Sequence, residues 1–449
     1  MAGAIRQGLR IVFRTVIRIY FREIEVSGDV PDRTTGGRLF GANHVNGLVD
    51  PILVLTQAPC AISPIAKSTL WSIPGLKWLL DAADAVPIVR KRDNPNKSAE
   101  DNDAVFSRVA DHLAHGGNIL IFPEGTSHNE PHLLALRSGA GRMLARAAPG
   151  EASSDLTYQA VALEFDAREI FRSRVLVVFG PVRHVKDAKT SEGATDADVA
   201  RIVTETLQRD LSELLVEGAT WEERAAVVHV AQMFANDARE RSLEGVNRFG
   251  RRIEQARKML ANAEPAVVAD VEWRVGLYRS ALEDADVTDE AIARVAHRKQ
   301  GDPLPTVPYD KVVRAAILVL ALPLALAGMV VYWVPYRLVR LVSNRFRSDP
   351  DVTSTYKLGA GLLLFPLWAG IGIAVAATQL SGSAALGAIL AILTAPFAAL
   401  GWLDRSEKLG SRAKLLVPDE MRRERLEELA EMRRTLMAKL ETARAKAER

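Results

Sequence analysis

Residues 118–128 read NILIFPEGTSH. Four apolar residues in a row, Ile119 to Phe122, run straight into Pro123-Glu124-Gly125. A short, continuously apolar run closed by proline and glycine has the pattern of a strand buried on both faces. The run VLVVF at 175–179 repeats it. Working outward, candidate strands fall at Arg38–Ala42, Cys60–Ala66, Ala85–Arg90, Asn118–Phe122, Tyr158–Phe165 and Arg174–Gly180. Helical patterns lie between them, for example Asp103–His115 and Gly139–Ala147. Strand–helix alternation across residues 37–181 predicts an α/β domain whose mixed sheet is mostly covered by flanking helices.

The chain has 449 residues, too many for one ordinary domain. A formal net charge of +3 argues against a nucleic-acid binder, which would concentrate a basic excess on one domain. Cys60 is the single cysteine, so no intrachain disulfide forms, and the residue reads as a small buried hydrophobe in a reducing compartment. Arg6, Arg10, Arg14, Arg18 and Arg22 interrupt the N-terminal apolar residues every fourth position, so residues 1–28 do not read as a signal peptide. They read instead as a cationic amphipathic helix suited to a membrane interface, the alternative being a surface helix packed on its own domain. The α/β domain is expected over 29–190 and a solvated helical region over 191–300. A proline-rich linker at 301–310 (GDPLPTVP within it) follows.

Past the linker, Ala315–Tyr336 and Leu358–Leu403 carry no charge. Residues 311–404 are therefore expected in the membrane. The longer stretch has room for two spans broken near Ser381-Gly382-Ser383. Positive charge on both sides of the shorter stretch leaves open a simple span or a re-entrant hairpin. Residues 405–449 form a charged helix with an apolar seam at Leu429, Met432, Leu436 and Leu440, fit either for pairing with another helix or for standing alone in solvent.

Three clusters carry chemistry. The first is Asn43-His44-Val45-Asn46-Gly47-Leu48-Val49-Asp50-Pro51. A neutral histidine can take a proton from an alcohol, and a carboxylate on its other ring nitrogen fixes the tautomer. On a continuous helix these two side chains would sit about 120° apart, so they meet only if Asn46-Gly47 turns the chain. The alternative is an Asp50 that caps a helix beginning at Pro51. The second cluster is Arg90-Lys91-Arg92, where a strand ends; arginine can grip phosphate bidentately. The third is Phe122-Pro123-Glu124-Gly125-Thr126-Ser127-His128, in which the glycine permits close approach to a ligand.

In this order and spacing the clusters resemble the phospholipid/glycerol acyltransferase family over roughly residues 35–185. The form Asn-His-x-Asn-x-x-x-Asp-Pro looks like the branch of glycerol-3-phosphate and dihydroxyacetone-phosphate acyltransferases with C-terminal membrane segments. The resemblance implies a catalytic His44 and Asp50. It implies acceptor binding through Arg90, Glu124 and Gly125, with Thr126, Asn43, Asn46 and Lys67 as further binding candidates. Five residues separate His44 from Asp50 where four are usual, and Ala160-Val161-Ala162 stands where a proline is usual.

The implied reaction moves a fatty acyl group from acyl-CoA or acyl-carrier protein to the sn-1 hydroxyl of glycerol 3-phosphate or dihydroxyacetone phosphate. No cofactor, metal or covalent acyl-enzyme is required. The implied location is the membrane, with the catalytic domain on the cytoplasmic face. The rival acceptor is 1-acylglycerol 3-phosphate, acylated at sn-2; the rival class is a non-enzymatic membrane scaffold. A serine hydrolase would need Gly-x-Ser-x-Gly, and GTSHN at 125–129 lacks the last glycine. His112/His115 and His128/His132 lack the cysteine or carboxylate company of a metal site.

Overall fold

The computed structural model describes residues 2–73, 75–89, 99–148, 155–189, 194–297, 309–346, 350–413 and 420–447. These form two compact units. One comprises Met1–Trp221 with Ser348–Thr355, the other Glu222–Arg347 with Tyr356–Arg449.

The first unit is built on seven strands: β1 (Glu23–Gly28), β2 (Arg38–Ala42), β3 (Ser63–Lys67), β4 (Val86–Ile88), β5 (Ile119–Ile121), β6 (Thr157–Phe165) and β7 (Arg174–His184). They form one sheet in the order β1-β7-β6-β2-β5-β3-β4. Every neighbouring pair is parallel except β6 and β7. The mixed, helix-flanked sheet agrees with the expectation from sequence. Leu39, Phe40, Ile119, Leu120, Val175 and Val177 are essentially inaccessible to solvent, as central strands covered on both faces should be. β1 was not anticipated. Its sequence EIEVSG is short and charged, and it lies at the sheet edge, where only one neighbour constrains composition. β7 continues past Gly180 to His184 because Thr157 to Gln159 of β6 still pair with it.

The helices of this unit are α1 (Ala2–Tyr20), α2 (Val49–Gln57), α3 (Leu76–Ala82), α4 (Ala99–Ala114), α5 (Gly139–Ala147) and α6 (Asp196–Leu214). In α1, Arg6 and Arg10 turn inward and donate to the carbonyls of Ile62, Ala58 and Pro59, while Ile5, Ile11 and Val12 face outward. α6 opens with a capping box between Thr195 and Asp198. It is held to β7 by Arg183, which pairs with the buried Asp210 at 2.8 Å.

The second unit holds α7 (Trp221–Asp237), α8 (Leu243–Ala263), α9 (Pro265–Asp284), α10 (Asp289–Ala296), α11 (Tyr309–Val331), α12 (Trp333–Arg345), α13 (Pro350–Gln379), α14 (Gly382–Ala413) and α15 (Glu420–Ala447), except that α7 and α13 begin in the first. Val313–Val331, Val352–Gln379 and Gly382–Ser406 are long and apolar enough to cross a membrane. α13 and α14 meet at a turn where Gly382 takes φ +58°. α11 and α14 approach closely, since a Cβ on Gly328 would stand 2.3 Å from the Ala395 carbonyl oxygen. Trp402 and Tyr332 donate across the same contact to the carbonyls of Leu318 and Ile392.

The apolar seam of α15 is a packed one. Leu429, Leu436 and Leu440 share a core with Met233, Val275, Tyr278 and Ile292, and Met432 packs against it. Within that core lies Arg433, only 2% exposed. Its Nε donates to Asp289 Oδ1 at 2.8 Å, and its Nη2 to the Met233 carbonyl at 3.0 Å. Asp289 also accepts from Tyr278 and Asn236. Burial, then the Asp289 charge, pushes the Tyr278 phenol well above its usual range. Removing one member of a buried ion pair strands the other charge. Arg433→Ala should therefore lower the stability of this unit by about 3–5 kcal/mol. Thermal unfolding of the detergent-solubilised protein would read this as a lower transition temperature, and an unchanged transition would refute it.

Candidate active site

Parallel pairing fixes where the site lies. β2, β5, β3 and β4 are adjacent and run in one direction, so the chain leaves all four at the same sheet edge. His44 follows β2, Glu124 follows β5 and Lys67 ends β3. β6 is parallel to β2, so Arg168 lies beyond its end on that edge too. Open α/β sheets bind ligands at this edge. Arg90, Lys91 and Arg92 follow β4 but lie outside the described residues.

The His44–Asp50 pair forms because the chain turns at Gly47, which takes φ +43°, and α2 begins at Val49. Asp50 therefore sits inside the first turn of α2 and points back at the turn. Its Oδ2 accepts from His44 Nδ1 at 2.9 Å and from the backbone N–H groups of Val45 at 2.8 Å and Asn46 at 2.7 Å. The Asp50 side chain is completely buried and that of His44 is 13% exposed. Hydrogen bonding to Asp50 puts the imidazole proton on Nδ1. Nε2 is left as an acceptor with no protein partner among the described residues.

The turn after β5 holds His44 from the other side. Phe122 stacks on its ring with centroids 4.1 Å apart. Glu124 Oε1 accepts the His44 backbone N–H at 2.6 Å, and the His128 N–H donates to the His44 carbonyl at 3.2 Å. Glu124 Oε2 accepts from Leu134 N–H at 3.1 Å and from His128 Nε2. Gly125 takes φ +78°, which favours glycine, and the Arg137 side chain lies over it, 2.6 Å from where a Cβ would stand. Arg137 is anchored by its backbone N–H to the Pro123 carbonyl at 2.8 Å. Its exposed guanidinium has no hydrogen-bond or ion-pair partner among the described residues.

The other residues singled out in the sequence divide. Asn43 is buried and spends its side chain on Leu163, accepting from its N–H at 2.8 Å and donating to its carbonyl at 3.1 Å. Asn46 is also buried, with Nδ2 3.4 Å from the Arg168 carbonyl. The Thr126 hydroxyl lies 3.1 Å from the Ser127 carbonyl, and Lys67 is half-buried at the end of β3. Cys60 is buried, and desolvation pushes its thiol up, away from thiolate chemistry. Among the described residues no three metal-ligating side chains are grouped.

Sequence reasoning did not single out the stacking of Phe122, the free cation of Arg137, or Arg168, whose Nη1 donates to the Val45 carbonyl at 3.1 Å. It also missed the start of α13. The Leu48 N–H donates to Thr355 Oγ1 at 3.0 Å, and Ser354 Oγ donates to the Arg168 carbonyl at 2.6 Å. Only the tight Pro123–Gly125 turn hinted at Arg137, and nothing local marks Ser354 or Thr355.

A family model described as Acyltransferase matches residues 23–163. Glycerol-3-phosphate O-acyltransferase 1 of Saccharomyces cerevisiae is 24% identical over 282 residues, 61% of this chain and 36% of that protein. Lyso-ornithine lipid O-acyltransferase of Pseudomonas aeruginosa is 34% identical over 125 residues, 28% of this chain and 42% of its own. Glycerol-3-phosphate O-acyltransferase 2 of Saccharomyces cerevisiae is 35% identical over 98 residues, 22% of this chain and 13% of its own. The chain spans less than half the length of each of these relatives. The matched region, residues 23–163, contains the His44–Asp50 pair and is an acyltransferase domain similar to those of the glycerol-phosphate and lysolipid acyltransferases named above.

Proposed function

We propose that this protein transfers a fatty acyl group from acyl-CoA or acyl-carrier protein to the sn-1 hydroxyl of glycerol 3-phosphate or dihydroxyacetone phosphate, at a membrane and on its cytoplasmic face. The observation that carries the reading is the 2.9 Å contact between His44 Nδ1 and a buried Asp50 whose charge is held by two further N–H groups. His44 Nε2 takes the proton of the acceptor hydroxyl as its oxygen attacks the thioester carbonyl. Asp50 stabilises the imidazolium that forms. Collapse of the tetrahedral intermediate expels the thiolate, which leaves with that proton. Similarity to a yeast protein named for glycerol 3-phosphate extends over 282 residues, well beyond the acyltransferase match, and supports this acceptor. A lysolipid acceptor is the second reading, favoured by the 34% identity to the lyso-ornithine lipid enzyme.

Purified protein in detergent, offered labelled acyl-CoA or acyl-carrier protein with glycerol 3-phosphate, dihydroxyacetone phosphate, lysophosphatidate or lyso-ornithine lipid, should acylate one of the first two fastest. Preference for a lysolipid would replace this reading with the second.

His44→Ala should cut turnover by roughly 10²–10⁴-fold, the usual worth of a general base. Asp50→Asn should be comparably severe. Its amide oxygen can still accept the Val45 and Asn46 N–H groups, so folding should survive while the charge that balances the imidazolium is gone. A loss under about tenfold in His44→Ala would contradict the role.

Acceptor binding is assigned to Arg90, from the resemblance, and to Arg137, from its free guanidinium beside Gly125. Arg137→Ala should raise the KM for a phosphate-bearing acceptor and leave the KM for the acyl donor unchanged. The opposite pattern would put the donor on that side of the site.

A further inference from the structure

We propose that His128 is a positioning residue for the base: it holds the Glu124 carboxylate, and Glu124 in turn holds the backbone of His44. The proposal rests on the reading of His44 as general base. Its starting point is that every contact residues 122–128 make with His44 fixes the position of that residue. The ring lies against Phe122, the N–H is bound by Glu124 and the carbonyl is bound by the His128 N–H.

The His128 ring has a defined tautomer. Its Nδ1 lies 3.1 Å from the Glu130 N–H and accepts from it, so the proton of the neutral ring sits on Nε2. That proton is donated to Glu124 Oε2. The Glu124 side chain is fully buried and that of His128 only 7% exposed, so neither is presented to an incoming acceptor. A carboxylate would also repel a phosphate. Three donors satisfy the Glu124 charge, namely His44 N–H, Leu134 N–H and His128 Nε2–H. His128 is the only one of the three supplied by a side chain, and so the only one a substitution can delete. Without it a buried carboxylate loses one of three compensating donors and turns toward another. That response loosens the 2.6 Å hold on the His44 N–H. Base catalysis is sensitive to such shifts, since a displacement near 1 Å can cost about 100-fold.

The test uses the full-length protein in detergent with His128→Leu and His128→Gln, the glutamine amide carrying an N–H close to where Nε2 stood. His128→Leu should lower kcat roughly 10- to 100-fold with little change in the KM of the acceptor. His128→Gln should recover most of the loss. Amide hydrogen exchange over residues 43–50 supplies a readout that needs no substrate. Exchange there should accelerate in His128→Leu and return toward wild type in His128→Gln. If the wild-type protein acylates nothing offered, the functional reading fails while the exchange pattern still decides the clamp. Three results would overturn the proposal: unchanged exchange over 43–50 in His128→Leu, a raised acceptor KM with kcat retained, or a loss in both variants that simply follows a lowered unfolding temperature.

Discussion

One oxygen atom organises the turn at the heart of the first unit. Asp50 Oδ2 collects the His44 ring and the backbone N–H groups of Val45 and Asn46, all within 2.9 Å. Three N–H donors give this oxygen the hydrogen bonds that burial takes away from it. The same three bonds wind residues 44–46 around the start of α2, so the charge and the turn support each other. The parallel sheet then has only to deliver β2 and β5 side by side. The residues that follow them, His44 and Glu124, are adjacent because Phe40 and Leu120 are ladder partners.

Much of this was legible in the sequence. Continuous apolar runs gave away the central strands, and Arg38–Ala42 and Gly139–Ala147 have the limits that their composition suggested. The Asn46-Gly47 pair marked the turn that lets His44 and Asp50 meet. What escaped was long-range. β1 is an edge strand whose charges leave no apolar signature. Arg433 reads in sequence as one cation among many on a charged helix, and only packing against α7, α9 and α10 shows it to be buried. His128 looked like half of a doubtful metal pair, because its partner Glu124 is defined by a side-chain direction that spacing does not encode.

The second unit obeys a different economy of polar groups. In its apolar helices, side-chain donors of Trp368, Trp402 and Tyr332 seek backbone carbonyls of neighbouring helices. Such pairing is expected where water does not reach. In the α7–α10 and α15 bundle the buried polar groups are instead ionic and centred on Asp289.

The hydrogen bond from the Leu48 N–H to Thr355 spans 307 residues of chain. Leu48 lies in the loop between His44 and Asp50, so that loop has its full set of bonds only after Thr355 has been made. At about 5–20 residues per second, the ribosome needs roughly 15–60 s between making Leu48 and making its partner. Within that interval Val313–Val331, the first helix among the described residues apolar enough to cross a membrane, has already been produced. The growing chain therefore carries this loop unfinished until after its first described apolar helix has been made, so the turn around Asp50 is completed only once that helix is available to a bilayer.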